Sequence, residues 1–170
     1  SYGVADEYLY NAAKKIMLNS QKPYFLTLLN ISNHQPYEFP KHGGTQHIYS
    51  NSQLNKKQQS FVYADWALGQ FMNWYKDQPD YEKTIYIIVG DHGYFHGSEN
   101  KDLSLDLSIY NVPCLIIAPG IQHKVINRIA SQIDVIPTLL PLLGGKFIHN
   151  SWGKNLLEDS NSIDYALITP

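Results

Sequence analysis

A chain of 170 residues has the length of one ordinary domain and enough sequence to bury a core. With 44% hydrophobic and 16% charged residues it is neither disordered nor fibrous in composition. A formal net charge of -2, with no basic stretch interleaved with aromatics, gives no reason to expect nucleic acid as a partner. The single cysteine, Cys114, excludes an intrachain disulfide framework and a thiolate zinc cluster, and no apolar run approaches the ~20 residues that span a bilayer as a helix.

In chain order, Asp6 to Met17 reads as an amphipathic helix with Tyr8, Leu9, Ala12, Ile16 and Met17 on its apolar stripe. After Pro23, the run Tyr24-Phe25-Leu26-Thr27-Leu28-Leu29-Asn30-Ile31 suits a strand covered on both faces. Ser32 to Ser52 is a polar loop too long for a plain connection. Leu54 to Lys76 predicts a second helix with Phe61, Ala64, Leu68, Phe71, Met72 and Tyr75 facing inward. Asp80 to Lys83 turns the chain into a second buried strand, Thr84 to Val89. A polar loop from Gly90 to about Asn111 precedes a third strand, Val112 to Ala118, and Arg128 to Ser131 is a candidate fourth. Asp134 is expected to cap a final helix, with Pro137 tolerated in its first turn and Gly144-Gly145 ending it. Strands alternating with helices predict an α/β domain whose sheet is mostly parallel and flanked by helices. No internal repeat or domain boundary is visible.

Chemistry is expected where loops leave the carboxyl ends of strands. Ser32-Asn33-His34 follows the first strand and Gly90-Asp91-His92-Gly93 follows the second. If both strands are parallel, the two clusters converge on one rim of the sheet. A carboxylate beside an imidazole suits a divalent ion, while Gly90 and Gly93 would let the backbone turn sharply and approach an ion or phosphate. The same residues also fit an ordinary strand-end turn, and His34 could simply satisfy loop backbone groups. His42 and His47 read as solvent-exposed, Asp65 and Trp66 as structural, Lys101 beside Asp102 as a solvated pair, and Cys114 as an inert thiol buried in a strand. His96, shortly after Asp91, is a further candidate contact for substrate or metal.

Several segments, in order, resemble the sulfatase/alkaline phosphatase superfamily, specifically its lipoteichoic acid synthase and phosphoglycerol transferase branch. They are Gly3-Val4-Ala5-Asp6-Glu7, Ser32-Asn33-His34-Gln35-Pro36-Tyr37, Tyr63-Ala64-Asp65-Trp66-Ala67-Leu68-Gly69, Thr84 to Gly93, Val112 to Gly120, and Gln132-Ile133-Asp134-Val135-Ile136-Pro137-Thr138-Leu139-Leu140. The resemblance implies that Asp91 and His92 bind a divalent metal (Mn, Mg, Zn or Ca), and that His34 faces the substrate phosphate or the leaving group as a catalytic residue. It also implies that the threonine nucleophile and the remaining ligand lie in a preceding half of the protein.

On that reading, residues 1–170 are a single sulfatase-like domain fragment without its nucleophile-bearing half. The fragment is inactive alone and expected to self-associate through its exposed edge. The parent would be an extracytoplasmic enzyme, anchored in the membrane by upstream segments, that acts on phosphate or sulfate ester substrates such as lipid headgroups. An arylsulfatase or phosphoethanolamine transferase of the same superfamily, and a non-catalytic sulfatase-like binding module, stay open as alternatives.

Overall fold

The helix beginning at Asp6 has no side-chain cap; instead Asp6 and Glu7 place negative charge in its first turn, where the helix dipole favours it. A computed structural model, describing residues 3–21, 23–93, 107–158 and 164–166, carries this helix as α1 (Asp6–Asn19), which ends as the chain becomes extended at Ser20 ahead of Pro23. The other helices are α2 (Gln46–Tyr49), α3 (Lys56–Lys76) and α4 (Val135–Leu142), and the strands are β1 (Tyr86–Val89) and β2 (Cys114–Ile117). The chain divides into two compact units, residues 1–81 and 82–170.

In the first unit α1 packs on α3. The long helix opens with a capping box, in which the Asn55 side chain accepts from the Gln58 amide and the Gln58 side chain accepts from the Asn55 amide. The buried face of α1 is Asp6, Tyr10, Ala13 and Met17, and that of α3 is Ser60, Tyr63, Ala67, Phe71 and Tyr75. Tyr10 stacks on Phe71 with ring centroids 4.8 Å apart, and Phe39 stacks on Tyr63 at the same distance.

Both helices were predicted with the right extent, but each docks on a face rotated from the predicted stripe. Tyr8, Ile16 and Phe61 are more than half exposed. The small Ala13 and Ala67 let the backbones approach, and the tyrosines flanking them bury rings while keeping hydroxyl partners. A count of apolar residues favours Ile and Leu over that combination.

Asp6 is wholly buried. Its Oδ1 accepts from the amides of Ile31 and Ser32, at 3.2 and 3.1 Å, and from the Ser32 hydroxyl at 2.8 Å. Ser32 Oγ in turn accepts from the Asp6 amide at 2.9 Å. This reciprocal knot ties the end of segment 24–31 to the start of α1. The segment is extended as expected, yet among the described residues it joins no ladder. Phe25 and Leu29 are 79% and 76% exposed, so only one face is covered, not both. Within this unit the segment is attached through side chains, with Asn30 donating to the Tyr10 hydroxyl and Tyr24 bonded to Tyr75 and Asp80.

In the second unit β1 and β2 pair antiparallel, with Tyr86 opposite Ile117 and Val89 opposite Cys114. The α/β class is as expected, and the described two-stranded ladder is an antiparallel pair in a sheet predicted to be mostly parallel. Residues 128–131 form no strand. Cys114 is exposed at the start of β2 and not buried.

The buried Asp134 does not cap α4 with its carboxylate. Its Oδ2 accepts from the Ser131 amide and its Oδ1 from the Lys154 amide, each at 2.8 Å. Thr138 Oγ1 donates to the Asp134 carbonyl at 2.7 Å and accepts from the Leu156 amide at 3.0 Å. Together these bonds fold residues 151–156 back onto the start of α4. Gly153 lies so close to the backbone of Ile133 and Asp134 that a Cβ would collide with it. Beyond α4, Gly144 and Gly145 adopt φ of 71° and 127° and end the helix as predicted.

Arg128 grips Asp164 with two guanidinium nitrogens while Lys154 reaches the same carboxylate at 2.8 Å. These two cations hold the Asp164 carboxyl well below the usual range. A depressed carboxyl stabilises the folded state wherever it is ionised. Its contribution is complete above the ordinary carboxylate pKa near ~4 and is lost as pH falls from there toward the depressed folded value. Asp164→Asn should therefore lower the urea midpoint at pH 7 and have less effect at pH 3; equal effects at both would show that the bridge is idle.

Replacing Asp6 by Ala strands the Ile31 and Ser32 amides and should cost about 3 kcal/mol of unfolding free energy. Gly153→Ala should cost about 1–3 kcal/mol through overpacking. Chemical denaturation of the complete protein reads both, and an unchanged midpoint in either variant would remove that residue from the account.

Candidate metal and phosphate site

The first two residues of Ser32-Asn33-His34 are anchored and the third is presented. Ser32 is held by Asp6, and Asn33 Oδ1 accepts from the hydroxyl of Ser60, buried in α3, at 3.2 Å. The chain then makes two consecutive turns, closed by His34 N–H on the Ile31 carbonyl at 2.9 Å and Tyr37 N–H on the His34 carbonyl at 2.8 Å. The second turn contains the cis peptide Gln35–Pro36, followed by Tyr37 at φ 61°. His34 is left exposed, in a cleft of about 290 Å³ that it lines with Gln35, Pro36, Glu38, Gly3 and Ala5.

The His34 Nδ1 lies 2.9 Å from the Gln35 carbonyl. A carbonyl only accepts, so Nδ1 carries the hydrogen and the neutral ring keeps its lone pair on Nε2.

At the end of β1, Asp91 and His92 are 73% and 65% exposed. The His92 amide donates to Asp91 Oδ1 at 2.9 Å, and His92 Nδ1 sits 2.8 Å from the Gly93 carbonyl. His92 is therefore in the same Nδ1–H form as His34, the tautomer that metal-bound histidines adopt when they bond a backbone carbonyl. Asp91 Oδ2 and His92 Nε2 face each other at 3.7 Å. Two atoms held about 2.0–2.2 Å from one tetrahedral ion lie roughly 3.4 Å apart, so this oxygen and nitrogen are spaced close to what a shared divalent ion requires. Their chemistry, hard oxygen with imidazole, also fits one. Among the described residues, no group of three or more His, Cys, Asp or Glu side chains is arranged to hold a metal.

The glycines around the pair act differently from the sequence expectation. Neither adopts a positive φ. A Cβ on Gly90 would press on Val112 at 2.9 Å, and one on Gly93 would run into the Ser108 carbonyl. Their smallness lets the loop lie against the chain's own segment 108–113, where the Gly90 amide bonds the Pro113 carbonyl and the Gly93 amide the Ile109 carbonyl.

Other candidates separate clearly. His42 is exposed, as expected, and also engaged: its Nδ1 accepts from the Gly44 amide at 3.1 Å, its Nε2 donates to the Glu7 carboxylate at 3.0 Å, and its ring tilts against Trp66. It ties the loop to α1. His47 and Asp65 are exposed, and Trp66 packs by Tyr63. His96, Lys101 and Asp102 lie outside the described residues.

Sequence reasoning missed Gln132, whose side-chain amide reaches the carbonyls of both Gly90 and Asp91 at 2.8 and 3.0 Å. It also missed Asp6. The available signal was their place inside two of the segments that carry the family resemblance.

With the geometry in view, the class is fixed by comparison. The chain belongs to the sulfatase family, whose model matches residues 1–145. Among its relatives, lipoteichoic acid synthase 2 of Bacillus subtilis is 27% identical over 85% of this chain and 24% of its own length. A lipoteichoic acid synthase-like protein, YvgJ, from the same organism is 29% identical over 85% of this chain and 26% of its own length. The chain thus spans about a quarter of the length of these curated relatives. A solved protein of the alkaline phosphatase superfamily from Vibrio parahaemolyticus superposes with a TM-score of 0.76 and 32% identity, over 94% of this chain and 38% of its own. The lipoteichoic acid synthase LtaP of Listeria monocytogenes shares the fold at a TM-score of 0.68 and 23% identity, over 92% of this chain and 43% of its own. The fold class and branch read from the sequence are borne out.

If the two rings are set by their backbone carbonyls, nitrogen-detected NMR near pH 8 should show both His34 and His92 as Nδ1–H tautomers. An Nε2–H form at His92 would remove the lone pair that the site needs.

Proposed function

We propose that this chain supplies the metal-binding pair and a substrate-facing histidine to a phosphoglycerol transferase-type enzyme of the sulfatase family. The observation that carries the reading is the 3.7 Å approach of Asp91 Oδ2 to His92 Nε2 in a ring whose other nitrogen is occupied by the Gly93 carbonyl. The lipoteichoic acid synthases among its relatives favour a phosphodiester over a sulfate ester as substrate, with a glycerophosphate lipid headgroup as the donor.

Asp91 and His92 would hold the divalent ion. Bound there, such an ion neutralises charge on a transferring phosphoryl group and favours the deprotonated form of a neighbouring hydroxyl. His34 presents Nε2 as a proton acceptor when neutral and as a donor to phosphate oxygen when charged, which suits it to steady the leaving or entering oxygen. The nucleophile and the remaining ligands are assigned to the longer protein of which these residues form a part, with its active site on the outer face of the membrane. No described helix here is long and apolar enough to cross a membrane.

The test separates the roles in the complete protein. Asp91→Ala should weaken manganese binding by about 100-fold or more and abolish headgroup release from a glycerophospholipid. His34→Ala should leave manganese affinity within about twofold while lowering kcat by about 100-fold or more. If manganese affinity and turnover are both indifferent to Asp91→Ala, the reading is wrong.

A further inference from the structure

We propose that Gln132 is a positioning residue for the Asp91–His92 pair, its side-chain amide clamping the two peptide units that leave β1 so that carboxylate and imidazole are held ready for one metal ion. The inference rests on the metal-site reading of that pair and adds to it a residue that touches neither metal nor substrate.

Both atoms facing the Gln132 side chain are carbonyl oxygens, of Gly90 at 2.8 Å and Asp91 at 3.0 Å. The amide must therefore present its NH2 end, and its two hydrogens allow one bond to each carbonyl. Gln132 is exposed, so water could satisfy the same two carbonyls. What a side chain adds is direction, because it fixes the planes of two consecutive peptides where water would follow their motion. Asp91 sits at the junction of those peptides. The opposite side of the loop is already fixed, with Gly90 against Val112 and the Gly93 amide on the Ile109 carbonyl. Gln132 supplies the restraint from a second direction.

A clamp needs a rigid base, and this one has it. Gln132 opens the short 3-10 turn Gln132–Asp134. The buried carboxylate of Asp134 takes the Ser131 amide on one side and the Lys154 amide on the other, both at 2.8 Å. The Ile133 carbonyl between them accepts from the Ser151 hydroxyl at 3.1 Å, and Gly153 lies against the same backbone. Residues 131–134 are thereby braced by segment 151–154, and Gln132 passes that rigidity to the loop of the candidate ligands. Partners of this kind, one step beyond the ligands, typically change metal affinity by 10–100-fold when removed.

The experiment uses the complete protein and two variants. Gln132→Met keeps the length and loses the donor; Gln132→Glu keeps length and polarity but turns an acceptor toward two carbonyls. Manganese titration followed by electron paramagnetic resonance should show affinity weakened about 10–100-fold in both. Melting temperatures without metal should stay within about 1 °C of the parent, below the roughly 2–4 °C that 1 kcal/mol moves a domain of about 150–250 residues. Saturating manganese should restore most of kcat, which a loss of folded protein would not allow.

Asp91→Ala is titrated alongside. Should it bind manganese normally, the site reading falls and this inference with it. Should it lose manganese while both Gln132 variants bind like the parent, or weaken only in step with a fallen melting temperature, the clamp alone is overturned.

Discussion

In both units the structure depends on a buried carboxylate that collects two backbone amides, at least one of them from a distant part of the chain. Asp6 binds the amides of Ile31 and Ser32, and Asp134 binds those of Ser131 and Lys154. A carboxylate is costly to bury and becomes tolerable only when hydrogen-bonded. Asp134 meets that condition with both oxygens and Asp6 with Oδ1 alone, its buried Oδ2 having no partner among the described residues, so losing a donor leaves charge or an amide unsatisfied. That constraint is worth more to a catalytic protein than an apolar contact of equal energy, because it has direction. A leucine can slide on its neighbour; a carboxylate oxygen with two amide donors cannot.

The candidate ligands inherit this direction at one remove. Asp6 sets Ser32, two positions before His34, and Asp134 sets the turn from which Gln132 reaches Asp91. The side chains proposed to meet metal or phosphate are the exposed tips of loops whose bases are pinned. His34 and His92 share a further device, an Nδ1–H bond to the carbonyl of the next residue. It selects the tautomer from within each ring's own loop.

Much of this was legible in the amino-acid order. The extents of α1, α3 and α4 followed from helical spacing and punctuation at Pro23 and Gly144, and β1 and β2 from short apolar runs between turn formers. The places of His34 in the loop after the extended segment 24–31, and of Asp91 and His92 in the loop after β1, came from the same reasoning, strengthened by resemblance. The faces of the helices were not legible, because α1 and α3 each carry two apolar stripes and docking geometry selects the one with alanine and tyrosine. Asp6 and Asp134 escaped for the opposite reason: hydropathy places a carboxylate outside, and only knowing which amides it receives reveals it as core. The antiparallel direction of β2 was hidden because an apolar strand reads alike either way. Gly90 and Gly93 were singled out correctly but for the wrong cause; they make room for the chain itself.

The most direct measurement is anomalous X-ray scattering from crystals of the complete protein soaked with zinc or manganese. A metal peak is expected about 2 Å from both His92 Nε2 and a carboxylate oxygen of Asp91. A metal bound elsewhere, or bound through His92 Nδ1 with Asp91 turned away, would contradict it.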